Sequence, residues 1–288
     1  MTAALDRRLN AFRSDLADER LRGKVEAKGF VAGQATSIAV PVCDVFDAPT
    51  VDAGMTSQMV LGEPVTVFEI DGHWAWLQSR RDGYVGYVSA AALGADDVVA
   101  THRVLAPRTF VYERADLKLR RLNCLSAGSE VAVTGTITER GTKYAMLGDG
   151  SALIANHLLA IDQSARDFVA VAETFLHTPY LWGGSTGFGI DCSGLVQRSM
   201  QLAGHSVLRD SDMQADTIGS AVGWDGPSGN LQRGDLVFWK GHVGIMVDRE
   251  TLLHANAHTM TVARESLADA VERIGYLYGD PTMVRRPY

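Results

Sequence analysis

Cysteine is scarce. The three in 288 residues, Cys43, Cys124 and Cys192, are far apart and odd in number, which excludes a disulfide framework and points to a reducing compartment. Cations are in the minority, with 27 Lys and Arg against 34 Asp and Glu and a formal charge of −7. That balance offers no basic face to a nucleic acid or an anionic membrane; a small cationic or zwitterionic ligand suits it better. No apolar run approaches the ~18 residues that cross a bilayer. Residues 1–30 carry Asp6, Arg7, Arg8, Arg13, Asp15, Asp18, Glu19 and Arg20 where a secretory leader needs its apolar core. The expected location is the cytoplasm.

With 46% hydrophobic and 21% charged residues, the chain is of ordinary globular composition and long enough for two or three domains. Leu5, Leu9, Phe12 and Leu16 recur at helical spacing, so residues 1–34 read as a helical segment. Short β-rich runs follow, Ile38–Val42, Met59–Leu61, Val65–Ile70, Trp74–Leu77 and Tyr84–Val88, with Asp71-Gly72 and Asp82-Gly83 as turns. They predict a small barrel over 35–95. A similar set, from Val99–Leu105 to Ser151–Ile154, predicts a second over 96–161. From 162 to 288 the pattern is a helix over Gln163–His177, a glycine loop, helices after Asp191 and Asp210, then β runs at Leu236–Lys240, His242–Asp248 and Leu252–Ala257.

The chemistry is concentrated in this last part. Cys192 follows Gly189-Ile190-Asp191 and opens the pattern Leu195, Val196, Ser199, Met200, Leu202. A thiol at a helix N-terminus faces unpaired N–H groups and the positive dipole end, so its pKa is expected below the usual ~8.5. His242 and His254 lie on two β runs, and a three-residue loop centred on Asp248 or Arg249 would put both on one face, opposite or diagonal, whereas a two-residue loop would split them. His242 would then act as general base toward Cys192, and His254 would hold the far ring nitrogen without adding a permanent charge. A histidine in a strand is otherwise a structural residue, and a lone cysteine a small buried apolar one. Two further readings are weaker. His254 and His258 would be ~13 Å apart along a strand, too far for one metal ion. The run Gly183-Gly184-Ser185-Thr186-Gly187 lacks the Gly-Lys-Ser or Gly-Lys-Thr of a phosphate loop. No metal or cofactor is expected.

Four ordered motifs, Pro179-Tyr180-Leu181-Trp182-Gly183-Gly184, Asp191-Cys192-Ser193-Gly194-Leu195-Val196, Gly234-Asp235-Leu236-Val237-Phe238 and Gly241-His242-Val243-Gly244-Ile245, resemble those of the NlpC/P60 cysteine peptidases. The upstream modules resemble the bacterial SH3-like domains that precede this domain in γ-D-glutamyl-L-diamino-acid endopeptidases. The resemblance implies an α+β fold: a papain-like catalytic domain, with a Cys-bearing helix packed on a His-bearing antiparallel sheet, after two SH3-like barrels.

It also implies roles. Cys192 matches the nucleophile, His242 the base, His254 the third polar residue and Tyr180 a hydroxyl beside the nucleophile. Asp191 and Ser193 match residues that contact the peptide, and Trp182 belongs with them. Asp210 and Ser211 match a pocket for a free α-amino group, and Tyr84 a barrel tyrosine at the substrate's amino end, where the first barrel would exclude intact wall. Asp191 also suits a helix cap, and Ser211 with Gln214 a capping box. The substrate implied is a murein peptide with a free N-terminal L-Ala, cut after D-Glu in cell-wall peptide recycling. A secreted wall hydrolase, a thiol amidase or acyltransferase on the same scaffold, and a non-catalytic SH3-type binding protein are the competing readings.

Overall fold

In the computed structural model, which describes residues 5–94, 99–227 and 229–287, the chain divides into two compact units. The first is Met1–Val104 with Thr109–Ile161, and the second is Leu105–Arg108 with Asp162–Tyr288. Residues 1–4, 95–98, 228 and 288, which include the junction expected between the barrels, lie outside the described residues.

The first unit is built from β-strands. A six-stranded sheet runs in the order Gln34–Ser37, Pro64–Asp71, Trp74–Ser79, Val85–Ser89, Val42–Phe46, Met55–Val60, around a core of Ile38, Cys43, Val45, Met59, Val65, Ala75, Leu77 and Val88. The run expected at Ile38–Val42 is split in two. Pro41 has no N–H to give a ladder, so the chain turns there between strands. Five- and three-stranded sheets follow between His102 and Ala160, over Val104, Val111, Leu125, Val131 and Leu153. Arg81 joins the two modules, pairing with Glu63 at 3.1 Å and Glu130 at 2.9 Å.

The expected N-terminal helix does not form. Leu5–Leu16 runs through turns, and Leu16–Asp18 is a strand parallel to Gly29–Val31. Local bonds compete with the helix: Asp6 Oδ1 accepts from the Arg8 N–H at 2.8 Å, and Asn10 Nδ2 donates to the Asp6 carbonyl. Arg8 O accepts from Val85 N, and Ala11 and Leu16 pack with Phe68 and Trp76, so the segment straps the first module.

In the second unit the elements in chain order are α1 (Phe168–Glu173), α2 (Cys192–Leu202), α3 (Ser211–Thr217), β1 (Ser220–Val222), β2 (Leu236–Trp239), β3 (His242–Met246), β4 (Thr251–Asn256), β5 (Thr261–Ser266), α4 (Leu267–Tyr278) and β6 (Met283–Arg286). The strands form one antiparallel sheet in the order β1-β6-β2-β3-β4-β5. Alternation along the strands sends Val237, Trp239, Met246 and Leu252 to one face, where Leu267, Ala270 and Ile274 of α4 cover them. Val243, Ile245, Leu253 and Ala255, fully buried, alternate to the other side, and α2 packs on β3 and β4. The helix expected over Gln163–His177 is only α1: Asp167 caps its start by accepting from Val169 N, and His177 adopts a left-handed φ of 68° before Thr178-Pro179.

Candidate active site

The site grows from the start of α2. Asp191 caps the helix, accepting from Gly194 N at 2.7 Å, and its other oxygen accepts from Gly183 N at 3.0 Å. The glycine-rich segment is a tight hairpin, Ser185–Thr186 against Gly189–Ile190. A Cβ on Gly194 would lie 2.3 Å from the Gly184 carbonyl oxygen, so the helix meets this hairpin closely only because residue 194 has no side chain. All of Cys192–Met200 is buried.

Cys192 therefore sits at N1 of a buried helix, 7% exposed. The backbone N–H groups of Ser193 and of Val243, the residue after His242, both act on its sulfur. This puts the thiol at the head of β3. The loop between β3 and β4 has three residues, since Val247 N bonds to Thr251 O and Ile245 faces Leu253. His242 and His254 share one face diagonally, with His242 Nε2 2.8 Å from His254 Nδ1. The His242 ring is flanked by Trp239, centroids 5.8 Å apart. His254 is fully buried.

The expected low thiol pKa is not met. Burial, aided by the Asp191 carboxylate, pushes Cys192 up to about 12, while the two backbone N–H groups and Arg209 oppose the shift in vain. Burial, with His254 and Arg273 adding to it, pushes His242 down to about 3, against the pull of Glu265. The helix dipole is outweighed by the desolvation of the buried thiol. The resting pair is a neutral thiol beside a neutral imidazole. Burial together with Cys192 and Asp191 also raises Tyr180, whose hydroxyl stays protonated and able to donate.

Three groups at this site escaped the sequence reading. Arg209, 1% exposed, clasps Asp191 with Nη1 to Oδ1 at 3.0 Å and Nη2 to Oδ2 at 2.7 Å, and reaches Ser193 Oγ at 2.8 Å. Glu265 on β5 accepts from His254 Nε2 at 2.6 Å, and Arg273 on α4 binds the same oxygen. Arg209 stands next to Asp210, which is a signal of a kind. Glu265 and Arg273 carry none, because β5 and α4 were not read as elements, although Ser266, Leu267, Ala270, Val271, Ile274 and Gly279 make a capped amphipathic helix.

The remaining residues fall as follows. The Asp191 and Ser193 side chains are committed to the cap and to Arg209. Trp182 is 71% exposed. Asp210 is the N-cap of α3 but makes no side-chain cap bond, and Ser211 is the first helical residue. The capping box is not formed: Gln214 turns instead to the carbonyls of Ser193 and Leu208, both at 2.9 Å. Tyr84 is buried in the first unit.

Residues 177–273 match the model of the NlpC/P60 family, and residues 45–93 that of the bacterial dipeptidyl-peptidase Sh3 domain. The chain is 30% identical over 224 residues to the γ-D-glutamyl-L-lysine dipeptidyl-peptidase of Bacillus subtilis, covering 71% of this chain and 73% of that one. It is 23% identical to dipeptidyl-peptidase 6 of Lysinibacillus sphaericus, covering 82% of this chain and 97% of that one. The crystal structure of an NlpC/P60 family protein from Bacillus cereus superposes with a TM-score of 0.72 at 21% identity, over 88% of this chain and 99% of that one, which shows the shared fold. A papain-like layout with a thiol at a helix start, two imidazoles on the sheet beside it and a relative of this extent place the chain in the NlpC/P60 family of cysteine peptidases.

Proposed function

We propose that the protein is an endopeptidase of peptidoglycan-derived peptides, cutting the γ-D-glutamyl–diamino acid bond of substrates with a free N-terminal L-Ala. The observation that carries the reading is the Cys192 thiol at the start of α2, acted on by the Val243 N–H next to His242, whose far nitrogen is held by His254 at 2.8 Å. The names of the Bacillus and Lysinibacillus relatives support the substrate class. The half-buried Asp210 with Ser211 beside it at the start of α3 supports an ammonium subsite, since an ammonium needs a carboxylate and neutral acceptors.

In this mechanism Cys192 attacks the γ-carbonyl of D-Glu as its proton passes to His242. The sulfur–carbon bond forms while N–H groups at the start of α2 and the Tyr180 hydroxyl face the developing oxyanion. His242 returns the proton to the departing amine as the carbon–nitrogen bond breaks. Water, deprotonated by the same imidazole, hydrolyses the thioester and frees L-Ala-γ-D-Glu. Neither a metal nor a cofactor takes part. The three free cysteines support a reducing, cytoplasmic setting and a role in recycling rather than in cutting intact wall.

The test is incubation with L-Ala-γ-D-Glu-meso-diaminopimelate, its N-acetylated form and intact murein, with products read by mass spectrometry. Dipeptide is expected from the free peptide only; equal turnover of blocked and free peptides removes the ammonium subsite. Cys192→Ala is expected to abolish turnover and leave the thermal midpoint within a few degrees, since its buried sulfur is small. Activity in that variant removes the covalent step.

A further inference from the structure

The hydrogen-bond chain behind His242 continues past His254. In register, Glu265 on β5 faces Leu252 and Ala263 faces His254, so Glu265 and His254 share the face that α4 covers. His254 Nε2 lies 2.6 Å from Glu265 Oε1, and Arg273, one turn and a half along α4, binds that same oxygen. We propose that Glu265 is a positioning residue of the active site, a carboxylate that fixes the protons of both imidazoles and supplies the negative charge that a histidine in third place lacks. The proposal rests on the roles given above to Cys192 and His242.

The protons along this chain can be counted. An ionised carboxylate only accepts, so His254 must donate from Nε2. A neutral imidazole has one donor and one acceptor, so His254 Nδ1 is bare. The 2.8 Å contact between the rings needs one proton, which must then come from His242 Nε2. His242 Nδ1 is left bare, and it is the nitrogen free to take the proton of Cys192. With both rings neutral each step has one solution, and the carboxylate sets it. Without that charge either ring can hold its proton on the other nitrogen, and the base at Cys192 is lost in that fraction of molecules.

Charge acts in the same direction. When His242 becomes an imidazolium, its positive charge faces a chain that ends in a carboxylate. Glu265 need not accept a proton for this. Its ion pair with Arg273 and its bond to His254 hold its pKa below the ordinary value, although burial works the other way. The groups that act on His242 are then His254, Arg273 and Glu265: the two cations or would-be cations disfavour its protonation, and Glu265 favours it. Glu265 and Arg273 therefore act on His242 in opposite directions.

Two variants test this, Glu265→Gln and Arg273→Met. With the murein tripeptide as substrate, Glu265→Gln is expected to lower kcat on the order of 10- to 100-fold with KM within about twofold, the scale of losing a partner that orients a working histidine. Arg273→Met is expected to move the acid limb of the pH–kcat profile to higher pH, and Glu265→Gln to move it down or leave it outside the accessible range. Nitrogen-15 NMR of the ring nitrogens in the unliganded full chain is expected to find both His242 and His254 protonated on Nε2, and mixed tautomers in Glu265→Gln. This last measurement uses no substrate, so it stands even if the substrate assignment fails. A proton on Nδ1 of either ring in the parent protein, unchanged tautomers and kcat in Glu265→Gln, or shifts of the acid limb in the same direction in both variants would each overturn the proposal. Should Glu265→Gln not fold, the parent tautomers and Arg273→Met decide it.

Discussion

Replacing Arg209 by methionine keeps the length and apolar stem of the side chain and removes a buried positive charge. In the parent protein that guanidinium holds both oxygens of Asp191 at 2.7 and 3.0 Å and Ser193 Oγ at 2.8 Å, with a longer contact of 3.4 Å to the Gly184 carbonyl. Bonds to charged groups are worth ~1.5–3 kcal/mol each, but adding them would count the desolvation of both ions as nothing. The sounder figure is the cost of leaving one member of a buried pair alone, ~3–5 kcal/mol. Asp191 keeps its backbone donors, Gly194 N and Gly183 N, which favours the lower end. For a unit of this size ~1 kcal/mol moves the midpoint by ~3–5 °C, so a drop of roughly 10 °C or more is expected.

The assay is thermal or urea unfolding of the full chain, followed in parallel for Arg209→Met, Asp191→Asn and the double variant. The amide at 191 can still cap α2, and with it there is no orphaned charge, so the double variant is expected to regain at least ~1 kcal/mol relative to the sum of the singles. An Arg209→Met protein within ~1 kcal/mol of the parent, or strictly additive losses, would refute the claim that this pair holds the start of the catalytic helix.

Two other outcomes follow from the same geometry. With the thiol raised to about 12 and the imidazole lowered to about 3, the neutral pair predominates between those values; kcat/KM is expected to be flat between about pH 5 and 9, and iodoacetamide to alkylate Cys192 slowly at neutrality, roughly tenfold faster per pH unit upward. A bell with inflections near pH 6–8 assigned to these two groups contradicts it. Gly194→Ala drives a methyl to 2.3 Å from the Gly184 oxygen and 3.0 Å from Asp191 Oδ1; the helix start must move, at ~1–3 kcal/mol of stability and ~100-fold in kcat. Unchanged kcat in the alanine variant shows that the thiol does not depend on this close approach.

What could be read from the sequence was what local rules decide. Asp191 three residues before Gly194 marks the start of α2, and the span from Val247 to Thr251 fixes which face each histidine takes. What could not be read depends on chain segments brought together from afar. The helix pattern of Leu5, Leu9, Phe12 and Leu16 was overruled because Leu16, with Ala11, found an apolar surface at Phe68 and Trp76, while Leu5 stays exposed. Arg209 looked like any loop arginine until α3 folded it under Asp191, and Glu265 gained its meaning only from pairing with β4. The thiol's ionisation was misjudged for the same reason: dipole and spacing are local, whereas desolvation is the work of the whole unit.

That misjudgement changes the chemistry expected. A preformed thiolate–imidazolium pair would be ready for any electrophile; a buried neutral pair is not. Moving one proton from sulfur to nitrogen creates two charges without changing the total. The fixed charges around the site are arranged for that moment. Arg209 eases the negative charge on sulfur and Asp191 resists it, while Glu265 favours the imidazolium and Arg273 tempers it. Each favourable charge is thus leashed by an opposite one at hydrogen-bond distance. In the proposed mechanism this keeps the resting pair neutral, and the ion pair forms only when a carbonyl is in place to receive the sulfur's electrons. Such a site trades reactivity toward stray electrophiles for discrimination between carbonyls. The slow alkylation predicted above and a normal turnover of the murein tripeptide must therefore occur in the same protein; if rapid alkylation at neutral pH accompanies turnover, the thiol is already ionised and the charge arrangement has some other use.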